Sequence, residues 1–248
     1  MQKILETLTE KLKETFNDRL SSVFLYGSCA TEDYTEFKET FSDINLIVII
    51  KDLTAVDLKK AHIFVKNFTK KSKYMPIFMD KDEWFNSQDV YPIEYSDIKE
   101  RYKILCGENL IDGLNIEKKD LRLQCESEVK NLLIRLRQNY LAKSSGNWAD
   151  KRALKALIQA SSKTFMVIFR TVLRLSNEAV PKNHNDVVRF FWEKFKANEL
   201  DFDGELFLKI LEFRKNPKVI KDNDLENVVH KLIDSTNCVL KYVDKLEV

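Results

Sequence analysis

The stretch that decides the fold is residues 24–52, which read FLYGSCATEDYTEFKETFSDINLIVIIKD. A short apolar run at its start is typical of a strand that ends at Gly27-Ser28. After a polar spacer, the run Asp43–Ile50 is rich in β-branched residues and apolar on both faces, which predicts a central strand covered on both sides. Side chains two apart on a strand point to one face, so we expect Asp43 and Asn45 to share a pocket with the Gly-Ser turn.

The Gly-Ser turn has the composition of a phosphate-binding site. Gly27 lets a ligand or backbone approach closely because it has no side chain. Ser28 is expected at the start of a short helix, where free N–H groups and the hydroxyl can hold a phosphate. The sequence therefore predicts nucleotide contacts at Gly27, through its amide, and at Ser28.

This arrangement resembles the nucleotidyltransferase superfamily, the group that includes DNA polymerase beta and kanamycin nucleotidyltransferase. The signature of that group is a strand, Gly-Ser or Gly-Gly, a spacer, and then Asp-x-Asp or Asp-x-Glu on the next strand. Gly27 and Ser28 match the glycine-serine pair, and Asp43 matches the first acid. The resemblance covers roughly residues 1–110, and residues 89–111 look like a segment of uncharacterised bacterial members in which a helical domain follows.

One position departs from the family pattern. Asn45 stands where the catalytic pattern has a second carboxylate, and an amide oxygen brings no negative charge to a metal. The third acid of the family lies on a later strand, and the candidate strand Met75–Met79 contains none. Asp80, directly after it, is the nearest substitute; less favoured substitutes are Asp82, Glu83 and Glu94.

The resemblance implies a function with two versions. In the first, the chain is an enzyme in which Asp43 and Asn45 are the catalytic pair and Asp43 and Asp80 hold Mg²⁺. A nucleoside triphosphate then lies in the cleft between the two domains, and the acceptor beside it is a small hydroxyl compound or a protein. In the second, the incomplete metal site marks a catalytically degraded protein that acts as a regulatory or interaction module. The sequence leaves open whether the chain is an enzyme.

Two charged groups near these motifs have open interpretations. The spacer acids Glu32, Asp33, Glu36 and Glu39 are expected on a solvated face, with a lesser alternative that one replaces the missing ligand. The basic cluster of Lys70, Lys71 and Lys73 is expected at a solvated helix end, where the helix dipole favours cations. The alternative is a functional role, in which these lysines bind a triphosphate.

The predicted secondary-structure pattern of the chain changes near residue 115. This change predicts two domains, residues 1–115 and 116–248. Strand and helix alternate in the first, and the second has helical periodicity almost throughout, so we expect an α+β protein: a small mixed β-sheet with flanking helices, then an all-α helical bundle. In detail, the sequence predicts a short helical piece near 97–101 and a helix from Asp150 to Leu175 that Asp150 caps.

Composition limits the remaining function classes. The chain has 248 residues and a net charge of +2, with no basic stripe interleaved with aromatic residues, which does not favour nucleic-acid binding. No apolar stretch reaches the roughly 18 residues of a membrane span, so we expect a cytoplasmic protein without membrane contact. Four separated cysteines predict a reduced state. The resemblance also allows a homodimer in which a second copy completes the site.

Overall fold

The computed structural model describes residues 2–30, 44–72, 74–142, 148–198, 200 and 202–247, without the side chains of residues 28, 29, 148 and 149. The chain divides into two compact units, residues 1–117 and 118–248. Within the described residues the first unit contains a small mixed sheet with helices and the second contains helices, so the expected α+β class is confirmed.

In the first unit, strands and helices alternate along the chain. In order they are α1 (Gln2–Phe16), β1 (Leu20–Tyr26), β2 (Asn45–Ile50), α2 (Ala55–Ser72), β3 (Ile77–Asp80), α3 (Lys81–Asn86), α4 (Pro92–Glu100) and β4 (Tyr102–Gly107). A short 3₁₀ helix, Gly27–Ala30, follows β1 directly. The piece predicted near residues 97–101 is thus the end of a longer helix, because Pro92 fits the first turn of α4, where a missing N–H costs nothing.

The four strands lie in the order β3-β2-β1-β4. Strand β1 is antiparallel to both β2 and β4, whereas β2 and β3 run parallel. The central position expected for the Asp43–Ile50 run is confirmed for β2. Strand β3 lies at an edge of the sheet and begins directly after Pro76, a residue that is expected at an edge or at the start of a strand.

Both faces of the sheet are covered, and β2 shows why. Its residues Leu46, Val48 and Ile50 pack on one face with apolar residues of α1 and α2. The alternate residues, Ile47 and Ile49, pack on the other face with residues of α3 and α4 such as Trp84 and Tyr95. A strand buried on both sides needs a continuous apolar run, and this is the pattern of the sequence after Asn45.

The second unit is built from long helices. They are α5 (Lys118–Leu141), α6 (Trp148–Leu175), α7 (His184–Ala197), α8 (Gly204–Lys215) and α9 (Leu225–Asp244). Its core contains stacked and edge-to-face phenylalanine rings, for example Phe169 against Phe191 with ring centroids 4.0 Å apart. Helix α6 begins two residues before the cap predicted at Asp150, which lies in the first turn instead. None of the helices in the described part of the chain is long and apolar enough to cross a membrane.

Candidate nucleotide site

The two motifs of the sequence meet at one end of the central strand pair. Strands β1 and β2 are antiparallel, and Tyr26, the last residue of β1, is paired with Asn45, the first residue of β2. Gly27 follows Tyr26 directly, so the chain leaves one strand beside the point at which the next strand begins. The expected proximity of the Gly27 turn and position 45 is a feature of this pairing.

Gly27 has a backbone conformation that favours glycine. Its φ is +74°, in the left-handed region, and a Cβ atom added there would lie 3.1 Å from Nδ2 of Asn45. Its N–H donates to the carbonyl oxygen of Arg101, at 2.9 Å. This bond corrects the expectation that the Gly27 amide binds phosphate, because that N–H is already engaged. What Gly27 provides is a backbone without a side chain at the strand end, which leaves room for the side chain of Asn45.

Asn45 presents a carboxamide at the same end of the sheet. The residue is half-buried, and strand alternation places it on the face of Ile47 and Ile49, the side covered by α3 and α4. Its side chain forms no hydrogen bond with a described residue, and an Asn side chain has both an acceptor oxygen and two N–H donors. The oxygen of Asn45 can therefore accept from water or bind a cation weakly.

Of the predicted residues, Ser28 is described in part and Asp43 is not described. Ser28 belongs to the short 3₁₀ helix after β1, but its side chain lies outside the described part of the chain. Asp43 lies outside it altogether, as do Lys73 and the spacer acids Glu32, Asp33, Glu36 and Glu39. The roles of Ser28 and Asp43 stay predictions.

The structure does not bring Asp80 to this end of the sheet. In the parallel pair of β2 and β3, Asp80 lies opposite Ile50, five residues along β2 from Asn45. At about 3.3 Å per residue, that separation is roughly 16 Å. A shared metal site for Asp80 and position 45 does not fit this geometry.

The carboxylate of Asp80 has a structural role instead. Its oxygens accept from the backbone N–H groups of Leu53, at 2.9 Å, and Asp82, at 2.8 Å. Glu83 accepts in return from the N–H of Asp80, which completes a capping box at the start of α3. The N–H groups of Leu53 and Asp82 also lower the pKa of Asp80, because they stabilise its charged form. These contacts replace the metal-ligand role that the sequence suggested.

The other charged candidates lie on helices of the first unit. Asp82 and Glu83 are in the first turn of α3, and Glu94 is exposed on α4. Lys70 and Lys71 are exposed at the last turn of α2, and α2 packs on the opposite face of the sheet from Asn45. Within the described residues, no group of three or more His, Cys, Asp or Glu side chains is arranged to hold a metal ion.

Sequence reasoning missed the contact that holds the turn. The carbonyl of Arg101, which lies between α4 and β4, fixes Gly27 across the β1–β4 pair. No local sequence pattern predicts this contact, because it joins residues that are far apart in sequence and involves only backbone atoms. A prediction of the strand order β2-β1-β4 is the one signal that places these two residues together.

Comparison with known proteins supports the fold. No protein-family model matches the sequence, and no curated protein is significantly similar to it. Among solved structures, spectinomycin adenyltransferase AAD(9) from Enterococcus faecialis, determined with ATP and spectinomycin, is similar over 97% of this chain and 99% of its own. The TM-score is 0.54 and the sequence identity is 15%. The chain therefore has a nucleotidyltransferase-like fold: a small mixed sheet with flanking helices, followed in sequence by a helical unit.

Proposed function

We propose that this chain binds a nucleoside triphosphate with Mg²⁺ at the Gly27–Asn45 end of the sheet and transfers its nucleotidyl group to a small-molecule hydroxyl acceptor. The observation that carries the proposal is the close approach of Gly27 and Asn45 at the paired ends of β1 and β2. The fold similarity to an adenyltransferase solved with ATP supports it.

Each residue at this end has a role that its chemistry allows. The Ser28 hydroxyl and the backbone N–H groups that follow Gly27 in the 3₁₀ helix contact the phosphates. Asp43 supplies the carboxylate for Mg²⁺, and Asn45 supplies a neutral oxygen directly or through water. Mg²⁺ commonly uses one or two carboxylates together with phosphate oxygens and waters, so a set with one acid suits a site that forms only when nucleotide is bound.

The reaction requires an acceptor and releases pyrophosphate. The acceptor hydroxyl oxygen bonds to the α-phosphorus of the triphosphate, the bond from that phosphorus to the β-phosphate oxygen breaks, and the hydroxyl proton passes to a base or to solvent. When bound, Mg²⁺ offsets the negative charge on the phosphate oxygens. The neighbour's acceptor, spectinomycin, makes hydroxyl-bearing aminocyclitols the first compounds to try.

A second candidate function keeps nucleotide binding without transfer. It is favoured by the neutral side chain at position 45 and by the location of Asp80, which places the expected third acid at the far end of β2. In that case the chain acts as a regulatory or interaction module that responds to nucleotide. Fold alone does not separate the two, because one fold hosts many functions.

Nucleotide binding is tested by thermal denaturation of the full chain with each of the four nucleoside triphosphates, with and without Mg²⁺. A ligand that binds only the folded state stabilises it by roughly 2.7 kcal/mol at one hundred times its Kd. We expect the triphosphates to raise the Tm by several degrees, and only when Mg²⁺ is present. Asp43→Ala should remove that increase, whereas Asp234→Ala, at an exposed position of α9, should keep it.

Transfer is tested separately by pyrophosphate release with a panel of hydroxylated acceptors that includes spectinomycin. Release that depends on acceptor, Mg²⁺ and Asp43 supports the enzyme. Nucleotide binding without release from any acceptor supports the regulatory module. A Tm that no triphosphate changes in the wild-type protein contradicts both versions.

A further inference from the structure

The second unit contains a groove that the proposed nucleotide site does not use. It lies between α5 and α6 and has a volume of about 370 Å³, within the range of small-molecule sites. Leu132 on α5 and Ala153, Ala156, Leu157 and Ala160 on α6 give it apolar walls. The alanines recur on one side of α6, and their small side chains leave the space open.

The hydroxyl of Ser161 faces this groove without a partner among the described residues. Ser161 is only 3% exposed and lines the groove. Some other hydroxyls within the helices donate to backbone carbonyls of the preceding turn, as Ser162 does to Gln159 at 2.7 Å and Thr171 to Val167 at 2.8 Å. The Ser161 hydroxyl is open to the groove rather than sealed in the core. It is therefore a hydrogen-bonding group that a polar ligand atom in the groove can use.

Arg135 places a positive charge at the same end of the groove. Its Nη2 donates to the hydroxyl of Thr164 in a long bond of 3.5 Å, and Thr164 lies one helical turn after Ser161. Within the described residues Arg135 forms no ion pair, whereas Arg122 on the same helix is paired with Glu126 at 2.9 Å. A guanidinium has five N–H donors, so Arg135 retains donors for an anion.

We propose that this groove binds a small amphipathic carboxylate. The carboxylate accepts from Arg135 and Ser161, and the apolar part lies along Ala153, Ala156 and Leu157. From Ser161 to Ala153 the helix rises about 12 Å, which sets the length of chain that the groove holds. None of the described residues that line the groove is an Asp or a Glu, so the charge favours an anion over a cation. The site lies wholly within the second unit and goes beyond the proposed nucleotide binding.

The test is isothermal titration calorimetry of the full chain with octanoate, 1-octanol and octylammonium, each below its micelle concentration. These probes share an eight-carbon chain and differ in the head group. We expect octanoate to bind most tightly and octanol about tenfold more weakly, because a charge-assisted hydrogen bond is lost. Octylammonium should not bind.

Matched variants assign the binding to this groove. Arg135→Gln should weaken octanoate about tenfold and leave octanol unchanged, while Arg137→Gln, which alters a neighbouring arginine that donates to Asn237, should change neither. Ala156→Leu should abolish binding of both by filling the groove. Melting curves confirm that each variant is folded.

Three results overturn the proposal: octanoate that does not bind the wild-type protein at millimolar concentration, equal effects of the two arginine variants, or unchanged binding by Ala156→Leu. None of these measurements involves nucleotide or Mg²⁺. Failure here leaves the nucleotide site as proposed, and failure of nucleotide binding leaves this groove as proposed.

Discussion

Gly27 and Asn45 lie side by side at the ends of two paired strands, with Nδ2 of Asn45 3.1 Å from the place that a Gly27 Cβ atom would occupy. The backbone of Gly27 is held in this position by its bond to the carbonyl of Arg101. A fixed turn without a side chain, next to a carboxamide with no described partner, is the structural basis of the proposed nucleotide site.

Gly27→Ala should weaken both the fold and nucleotide binding. A residue with a Cβ atom at φ +74° costs about 1–2 kcal/mol, and the new atom crowds Asn45. Chemical denaturation should show this loss, and the Mg²⁺-dependent rise in Tm with triphosphate should shrink. Gly113→Ala is the control, since its added Cβ would meet a side chain at a similar 3.2 Å without a left-handed φ. Equal behaviour of the two variants would contradict a special role for the turn.

Asn45→Asp should tighten Mg²⁺ binding in the presence of triphosphate, because it restores a negative charge at the proposed site. Calorimetric titration of Mg²⁺ into the protein with saturating triphosphate measures the change. Asn17→Asp, on the first residue after α1, adds the same charge at the opposite end of β1 and serves as the control. Affinity that is equal to or weaker than wild type in Asn45→Asp would show that position 45 does not face the metal.

Asp80→Ala should destabilise the first unit without affecting nucleotide binding. The variant loses the capping box of α3 and the acceptor for the Leu53 N–H, and loss of a helix cap typically costs about 1 kcal/mol. Denaturation measures the loss, and the Tm increase with Mg²⁺ and triphosphate should keep its wild-type size. If that increase disappears in a folded variant, Asp80 is a metal ligand after all.

The ion pair of Arg19 and Asp57 predicts a pH dependence of stability. Arg19 donates to both carboxylate oxygens of the buried Asp57, at 3.0 and 2.7 Å, and this contact holds the pKa of Asp57 well below its ordinary value of 3.8. The unfolded chain binds the proton more readily, so the contribution of this carboxylate is complete well above pH 3.8. It is lost as the pH falls below that value toward the folded pKa.

Asp57→Asn isolates this contribution. The free energy of unfolding of the wild-type protein should exceed that of the variant at neutral pH, and the difference should shrink as the pH is lowered from 5 to 3. Asp18→Asn, at a nearby carboxylate without an ion pair among the described residues, should follow the wild-type curve. A difference between wild type and Asp57→Asn that stays constant across this range contradicts the assignment.

Much of the fold could be predicted because its signals are local. The continuous apolar run after Asn45 predicts a buried central strand, and β2 has that place in the sheet. Pro76 predicts that β3 lies at an edge or that a strand starts there. The predicted helix boundaries are less accurate where a residue suits more than one position in a helix. Asp150 is predicted to cap α6 but lies within its first turn. Periodicity alone predicts a later start for α4, which begins at Pro92.

The candidate site was less predictable because its contacts are not local. Strand alternation and the Gly-Ser turn place Gly27 and Asn45 near each other, which the strand pairing confirms. The same reasoning made Asp80 a metal ligand, since it follows the third strand directly in sequence. A parallel pairing of β2 and β3 puts the end of β3 at the far end of β2, so Asp80 is separated from Asn45 and caps α3 instead.

The central claim is that a metal-bound triphosphate lies at the Gly27–Asn45 end of the sheet, and paramagnetic NMR with Mn²⁺ in place of Mg²⁺ tests it most directly. The side-chain amide of Asn45 reports on the site, and that of Asn17 reports on the opposite end of β1, about 20 Å away. We predict that Mn²⁺ with ATP broadens the Asn45 amide resonances far more strongly than those of Asn17. Resonances of Asn45 that stay sharp at saturating Mn²⁺ and ATP would contradict the claim.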